Sequence, residues 1–175
     1  IKFDFIESAG VLHHMENPLL GWEKLSQSLK KGGLMRIGLY SQIARRNISK
    51  TREEIAELDI QPNHHDMKIF RNKIILSNKN HNKQHVSSLD FYSMSTFRDL
   101  LFHSQEHQFT ITKIKNDLTK LGLIFCGFEN KVALNKFQLV NPIKNNLYNL
   151  EKWNLFENDN PNTFLGMYQF WCQKI

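Results

Sequence analysis

Lys2–Ser41 reads KFDFIESAGVLHHMENPLLGWEKLSQSLKKGGLMRIGLYS, and the fold follows from it. Phe3-Asp4-Phe5-Ile6 is a short apolar run that ends in Glu7-Ser8-Ala9-Gly10. A run of that kind suits a strand buried on both faces, as in a parallel sheet. Asn17-Pro18 opens a helix, because proline's fixed φ and missing N–H are tolerated in the first turn. Leu19, Trp22, Leu25 and Leu29 follow at helical spacing, and Lys30-Lys31-Gly32-Gly33 is expected to stop the helix. Leu34–Tyr40 is the next predicted strand. Parallel strands need a crossover, so strand, helix and strand together read as a right-handed βαβ unit.

Working outward, Gln42–Leu58 carries Ile43, Ala44, Ile48, Ile55 and Leu58 among charges and reads as one or two helices. Ser49-Lys50-Thr51 is the expected break, with Thr51 as a cap before Glu53-Glu54. Met67–Leu76 reads as a second amphipathic helix, and Asn78–Gln84 (NKNHNKQ) as a polar loop. Ser95 or Thr96 can cap a helix over Phe97–Phe102. Thr110 caps another, with Ile111, Ile114, Leu118 and Leu121 on one face and Gly122 at its end. Leu123–Glu129 is a predicted strand. Val132–Leu139 and Leu147–Phe156 are predicted helices around a break at Pro142. Met167–Gln173 is the predicted closing strand.

The motif FDFIESAGVLHHM, a helix, and then LKKGGLMRIGLYS resembles the middle of a class I (Rossmann-like) S-adenosylmethionine-dependent methyltransferase. In that family the first piece is the fourth strand with its loop, and a "GG" turn leads into the fifth. The resemblance is strongest to bacterial methyltransferases associated with tetratricopeptide repeats. Their later segments resemble Arg98–His103, Gln105-Glu106-His107 and Phe164–Trp171 here. The resemblance implies an α/β fold: the second half of a Rossmann-like methyltransferase sheet, two parallel strands plus a C-terminal antiparallel pair, with helical insertions. It makes 1–175 the C-terminal part of one methyltransferase domain, with a helical insert at about 43–95. The family's glycine-rich cofactor loop and its ribose-binding acid would lie upstream of Ile1. An upstream half of the same chain, with or without tetratricopeptide repeats, is therefore an expected partner. The 175 residues alone are expected to be inactive and to leave one edge of Phe3–Ser8 open.

Composition sets the outer bounds. A chain of 175 residues with 41% hydrophobic content suits one globular domain. No apolar run approaches the roughly 20 residues of a membrane span. The two cysteines, Cys126 and Cys172, sit in apolar contexts and are expected to be reduced, with the cytoplasm as compartment. The formal charge of +6 has no long Lys/Arg block behind it; the tightest cluster is Arg45-Arg46 with Lys50 and Arg52. The charge reads as solvated faces, and nucleic acid is not an expected partner.

Ligands of open α/β sheets sit outside the carboxyl ends of the strands. That singles out Glu7–His14 and Tyr40–Arg46. By resemblance, Glu7, Ser8, Ala9 and Gly10 form the cofactor-binding loop, facing the methionine part of S-adenosylmethionine. His13 and His14 are the catalytic candidates, since an imidazole can act as a base near neutral pH; a structural histidine explains them equally well. Tyr40, Arg45, Arg46, His103, Glu106 and His107 are the substrate-side candidates. By the same resemblance, the expected acceptor is a small molecule or a protein side chain. His103–His107 also spells H-x-x-E-H, which on a helix would place two imidazoles on one face for zinc-dependent hydrolysis. No third ligand is identifiable, so no metal is assigned. A non-catalytic interaction module is the other alternative. The aromatic tail, Trp153 to Trp171, is expected to pack the core.

Overall fold

The computed structural model describes residues 1–175. It is an α/β protein with one four-stranded mixed sheet and eight α-helices. The chain divides into two compact units: Ile1–Ala44 with Gln105–Ile175, and Arg45–Ser104.

The sheet unit contains β1 (Phe3–Ala9), α1 (Pro18–Ser28) and β2 (Leu29–Leu39). β1 runs parallel to β2, as the βαβ reading requires. Asn17 caps α1 through its side chain and Pro18 occupies the first turn. The glycine pair acts differently from the expected helix stop. α1 ends at Ser28, and the chain enters β2 directly at Leu29. Lys30–Gly33 then forms an irregularity in the β1–β2 register, between the Phe3↔Leu29 and Phe5↔Leu34 pairs. Gly32 has φ +75°, where a side chain would be strained. A Cβ on Gly33 would lie 2.9 Å from the Lys30 carbonyl and 3.0 Å from that of Asp4. The two glycines thus build a bulge inside the strand.

Unit 2 interrupts the sheet unit and is described below. The sheet unit resumes before α6 (Ile111–Lys120), which Thr110 caps as expected. β3 (Leu123–Phe128), α7 (Lys131–Val140), α8 (Leu150–Asp159) and β4 (Tyr168–Lys174) follow. A 3₁₀ segment, Lys144–Tyr148, precedes α8, so that helix starts later than the sequence suggests. The strand order is β1-β2-β4-β3, with β4 antiparallel to both neighbours. β1, β2 and β3 therefore point the same way, and their carboxyl ends share one rim.

One face of the sheet is the core. Met35, Ile37 and Leu39 of β2, with Tyr168, Phe170 and Cys172 of β4, are fully buried there. They pack with Trp22, Ile114, Leu118, Phe137 and Trp153, whose rings and chains come from the helices. The Phe137 and Trp153 rings stack at 3.9 Å, so the aromatic tail is core. The opposite face is more open. Phe5 and Leu34 remain 48% and 40% exposed, and Phe5 stacks on Trp171. The expectation that β1 is buried on both faces therefore fails: it is an edge strand, paired only with β2.

The second unit is helical: α2 (Arg46–Glu57), α3 (His64–Leu76), α4 (Asn80–Val86) and α5 (Met94–Leu101). Its core is Ile55, Met67, Phe70, Ile74, Phe91, Phe97 and Leu101. α2 has no break at Ser49–Thr51. Thr51 is fully buried in mid-helix, where its hydroxyl lies 3.1 Å from the Asn47 carbonyl and 2.8 Å from His85 Nε2. The expected polar loop over Asn78–Gln84 is mostly helix, because α4 turns Asn82 and His85 inward. No helix of the protein is long and apolar enough to cross a membrane.

Candidate functional site

The carboxyl-end rim of β1 and β2 gathers three of the candidate side chains. After Ala9, Gly10 turns the chain with φ +76°, and its N–H donates to the Gly38 carbonyl. A short 3₁₀ turn, Leu12–His14, follows. It presents His13 inward, fully buried, and leaves His14 partly exposed. The His13 ring stacks on Tyr40 at 3.9 Å between centroids, with 29° between planes. His14 meets both edge-on, at 4.4 Å from His13 and 5.9 Å from Tyr40. Adjacent histidines thus take different roles: one lies in the packing, one reaches the rim.

Residues 105–109 form the outer wall of this cluster. His14 Nδ1 lies 3.0 Å from the Gln105 carbonyl. The His107 N–H donates to the His13 carbonyl at 2.7 Å. Phe109 continues the sheet for one step: its N–H donates to the Tyr40 carbonyl at 2.8 Å, and its carbonyl accepts from Gln42 at 2.9 Å. Ser41 and Phe109 form an isolated parallel bridge. Glu106 accepts a hydrogen bond from Gln108 at 3.3 Å. Segment 102–108 is not helical. The shared helix face that a zinc site at His103 and His107 would need does not exist. His103 closes the helical unit, whereas Glu106 and His107 belong to the sheet unit. Arg45 is buried and Arg46 exposed, and both open the helical unit.

Glu7 stands apart from the other loop candidates. β1 continues past it to Ala9, so Glu7 lies within the strand, opposite Arg36 of β2. Arg36 binds Glu7 at 2.5 Å with one guanidinium nitrogen and Glu129 with two others at 2.8 and 2.7 Å. The guanidinium's hydrogen bonds hold the Glu129 carboxyl below its ordinary range. Ser8 faces the other way and is buried. Ala9 and Gly10 follow at the end of β1, at the rim, where Gly10 presents no side chain.

Beneath Tyr40 lies a second group that sequence reasoning missed. Ser41 and Glu157 are fully buried, and the Ser41 hydroxyl donates to Glu157 Oε1 at 2.5 Å. The Tyr168 hydroxyl donates to Glu157 Oε2 at 2.6 Å. Burial pushes the Glu157 carboxyl up from its ordinary value, against the pull of these two bonds. The Tyr168 phenol is pushed up as well, first by burial and then by the neighbouring carboxylate. Further along the rim, an open cavity of about 540 Å³ separates Asn130 and Lys136 of the α7 end from residues 159–166 before β4.

Comparison with known proteins places the fold. No protein-family model matches the chain. An uncharacterized protein of Synechococcus sp. is 26% identical over 162 residues, 87% of this chain and 39% of that protein. Two structures of PKMT2 from Rickettsia typhi match 99% of the chain at 14% identity. One has a TM-score of 0.65 and spans 35% of the PKMT2 chain. The other, in complex with AdoHcy, has a TM-score of 0.67 and 36% coverage. The chain thus spans little more than a third of the proteins it matches. Its fold, a mixed sheet with β1 and β2 parallel and a closing antiparallel pair, is similar to a methyltransferase structure.

Proposed function

We propose that residues 1–175 form part of an enzyme that transfers a methyl group from S-adenosylmethionine to a small-molecule or protein acceptor. The observation that carries this reading is the match of the whole chain to the AdoHcy complex of PKMT2. AdoHcy is what remains of S-adenosylmethionine once its methyl group has left. In the transfer, the acceptor's lone pair attacks the methyl carbon in line with the breaking C–S bond. The sulfonium takes the bonding electrons and becomes a neutral thioether. The acceptor's proton goes to a base or to water.

Such a step asks for alignment and exclusion of water before it asks for acid–base help. The rim supplies a suitable surface. Gly10 lets backbone approach the cofactor, since it presents no side chain. Tyr40 and His14 give that surface an aromatic wall. His14, partly exposed, is the residue able to take a proton from a bound acceptor. The remaining cofactor contacts would come from an upstream half of the protein, with or without tetratricopeptide repeats.

Isothermal titration with AdoHcy tests the reading on two proteins: the 175-residue chain, and the same chain preceded by its encoded upstream sequence. The longer protein should bind with a micromolar Kd. The shorter one lacks two or three hydrogen bonds to the ligand, about 1 kcal/mol each, which moves micromolar affinity towards millimolar. A longer protein that folds and binds no AdoHcy would overturn the proposal.

A further inference from the structure

Glu157 is fully buried, and no cation pairs with it. A buried carboxyl group costs stability unless donors meet it. What it does hold is specific. It takes one hydrogen bond from Ser41 at the exit of β2 and one from Tyr168 at the start of β4. With its proton committed to Glu157, the Ser41 hydroxyl oxygen accepts from the Ala44 N–H at 3.0 Å. The polarity of this chain is fixed along its length: Ala44 donates to Ser41, and Ser41 donates to Glu157. Ser41 is the residue after Tyr40, whose carbonyl is already tied to Phe109. The backbone that follows the Tyr40 Cα is therefore held at two points, and its ring lies stacked against His13.

We infer that Glu157 is a positioning residue: acting through Ser41, it fixes the exit of β2 and so holds Tyr40 in its stack on His13 at the rim. The role of the rim rests on the methyl-transfer reading; the positioning does not. Glu157 touches no reacting atom. It uses a buried carboxylate to set where an aromatic wall stands, and Tyr168 orients that carboxylate from the other side.

The test reads the imidazole signals of His13 by ¹H–¹³C NMR, assigned with a His13→Gln variant. A ring stacked at 3.9 Å shifts those signals strongly. In Ser41→Ala and Glu157→Leu, the ring-current shift on His13 should be lost; Glu157→Leu, which leaves the buried Ser41 and Tyr168 hydroxyls without their acceptor, should also melt lower. Tyr168→Phe keeps the Ser41–Glu157 bond and should leave the His13 signals in place. A folded Glu157→Leu with unchanged His13 signals overturns the inference. If Glu157→Leu does not fold, Ser41→Ala decides in the same way. No cofactor is needed for this measurement. A longer protein, with its upstream sequence, that folds but fails to bind AdoHcy, yet releases Tyr40 in both variants, would sink the methyl-transfer reading and leave the positioning role standing.

Discussion

Gly38 of β2 lies directly against Ala9 of β1 at the rim, and Gly38→Ala probes that approach. An added Cβ would sit 2.7 Å from Met167 Sδ, 2.9 Å from Ala9 Cα and 3.0 Å from Ala9 Cβ. The methionine sulfur can swing away at little cost. The Ala9 Cα cannot, because it belongs to backbone paired with Gly38 across the ladder. β1 must therefore move outward by a few tenths of an ångström, at the residue that leads into Gly10. Overpacking of this kind costs about 1–3 kcal/mol. Replacing glycine by alanine also trims the unfolded chain's entropy, which returns about 0.4–1 kcal/mol. The net loss should be about 1–2 kcal/mol. Urea denaturation measures it, with Gly166→Ala as control, since nothing lies within 4 Å of a Cβ there. The control should be as stable as wild type or more so, by up to about 1 kcal/mol. A Gly38→Ala protein as stable as the control would show that the strands have slack at the rim. Gly10 would then not be held by the close pairing described here.

Two further outcomes are expected. Burial, with the nearby His81 charge, lowers the His85 pKa from 6.5 to about 4. The unfolded chain then binds the extra proton first as pH falls, so stability should drop between pH 6.5 and 4, by up to about 3 kcal/mol at 1.36 per unit. Thermal melts of wild type and His85→Gln across that range check it: the variant should lack most of this slope, and parallel profiles would contradict it. The free β1 edge and its half-exposed Phe3 and Phe5 should make the 175-residue chain self-associate. Phe5→Lys should shift sedimentation profiles towards monomer, and an unchanged distribution would place the contact elsewhere.

Local chemistry made most of the sheet legible. Proline after Asn17, the Thr110 cap and the apolar run of β3 each state their structure within a few residues. The order of the strands came from resemblance, since spacing alone does not say which strands pair. Two errors share one cause. Lys30–Gly33 looks like a turn, and NKNHNKQ looks like a loop, because both are polar and rich in turn formers. In the folded chain the glycines make a bulge against the Asp4 carbonyl. The asparagine-rich stretch is held as a helix by buried Asn82 and His85, one of which meets Thr51 on α2. Long-range partners decided both cases, and no window of ten residues contains them.

The same division runs through the candidate site. Its primary members lie within 40 residues of the N-terminal end, in one βαβ unit, and sequence could name them. What fixes them comes from far along the chain: the Gln105 and His107 backbone behind the two histidines, and Glu157 behind Ser41, 116 residues away. Glu157 did leave a trace. Leu150, Trp153 and Glu157 occupy one helical face, at i, i+3 and i+7, and the first two are core. A carboxylate at the third core position of an apolar stripe is a local inconsistency, because burial there is costly without a partner. Read as surface charge, such a residue is passed over. Taken as a core position, it demands donors, and only Ser41 and Tyr168 supply them. A polar residue that breaks a helix's apolar face thus marks a long-range contact, even where the sequence cannot say with what.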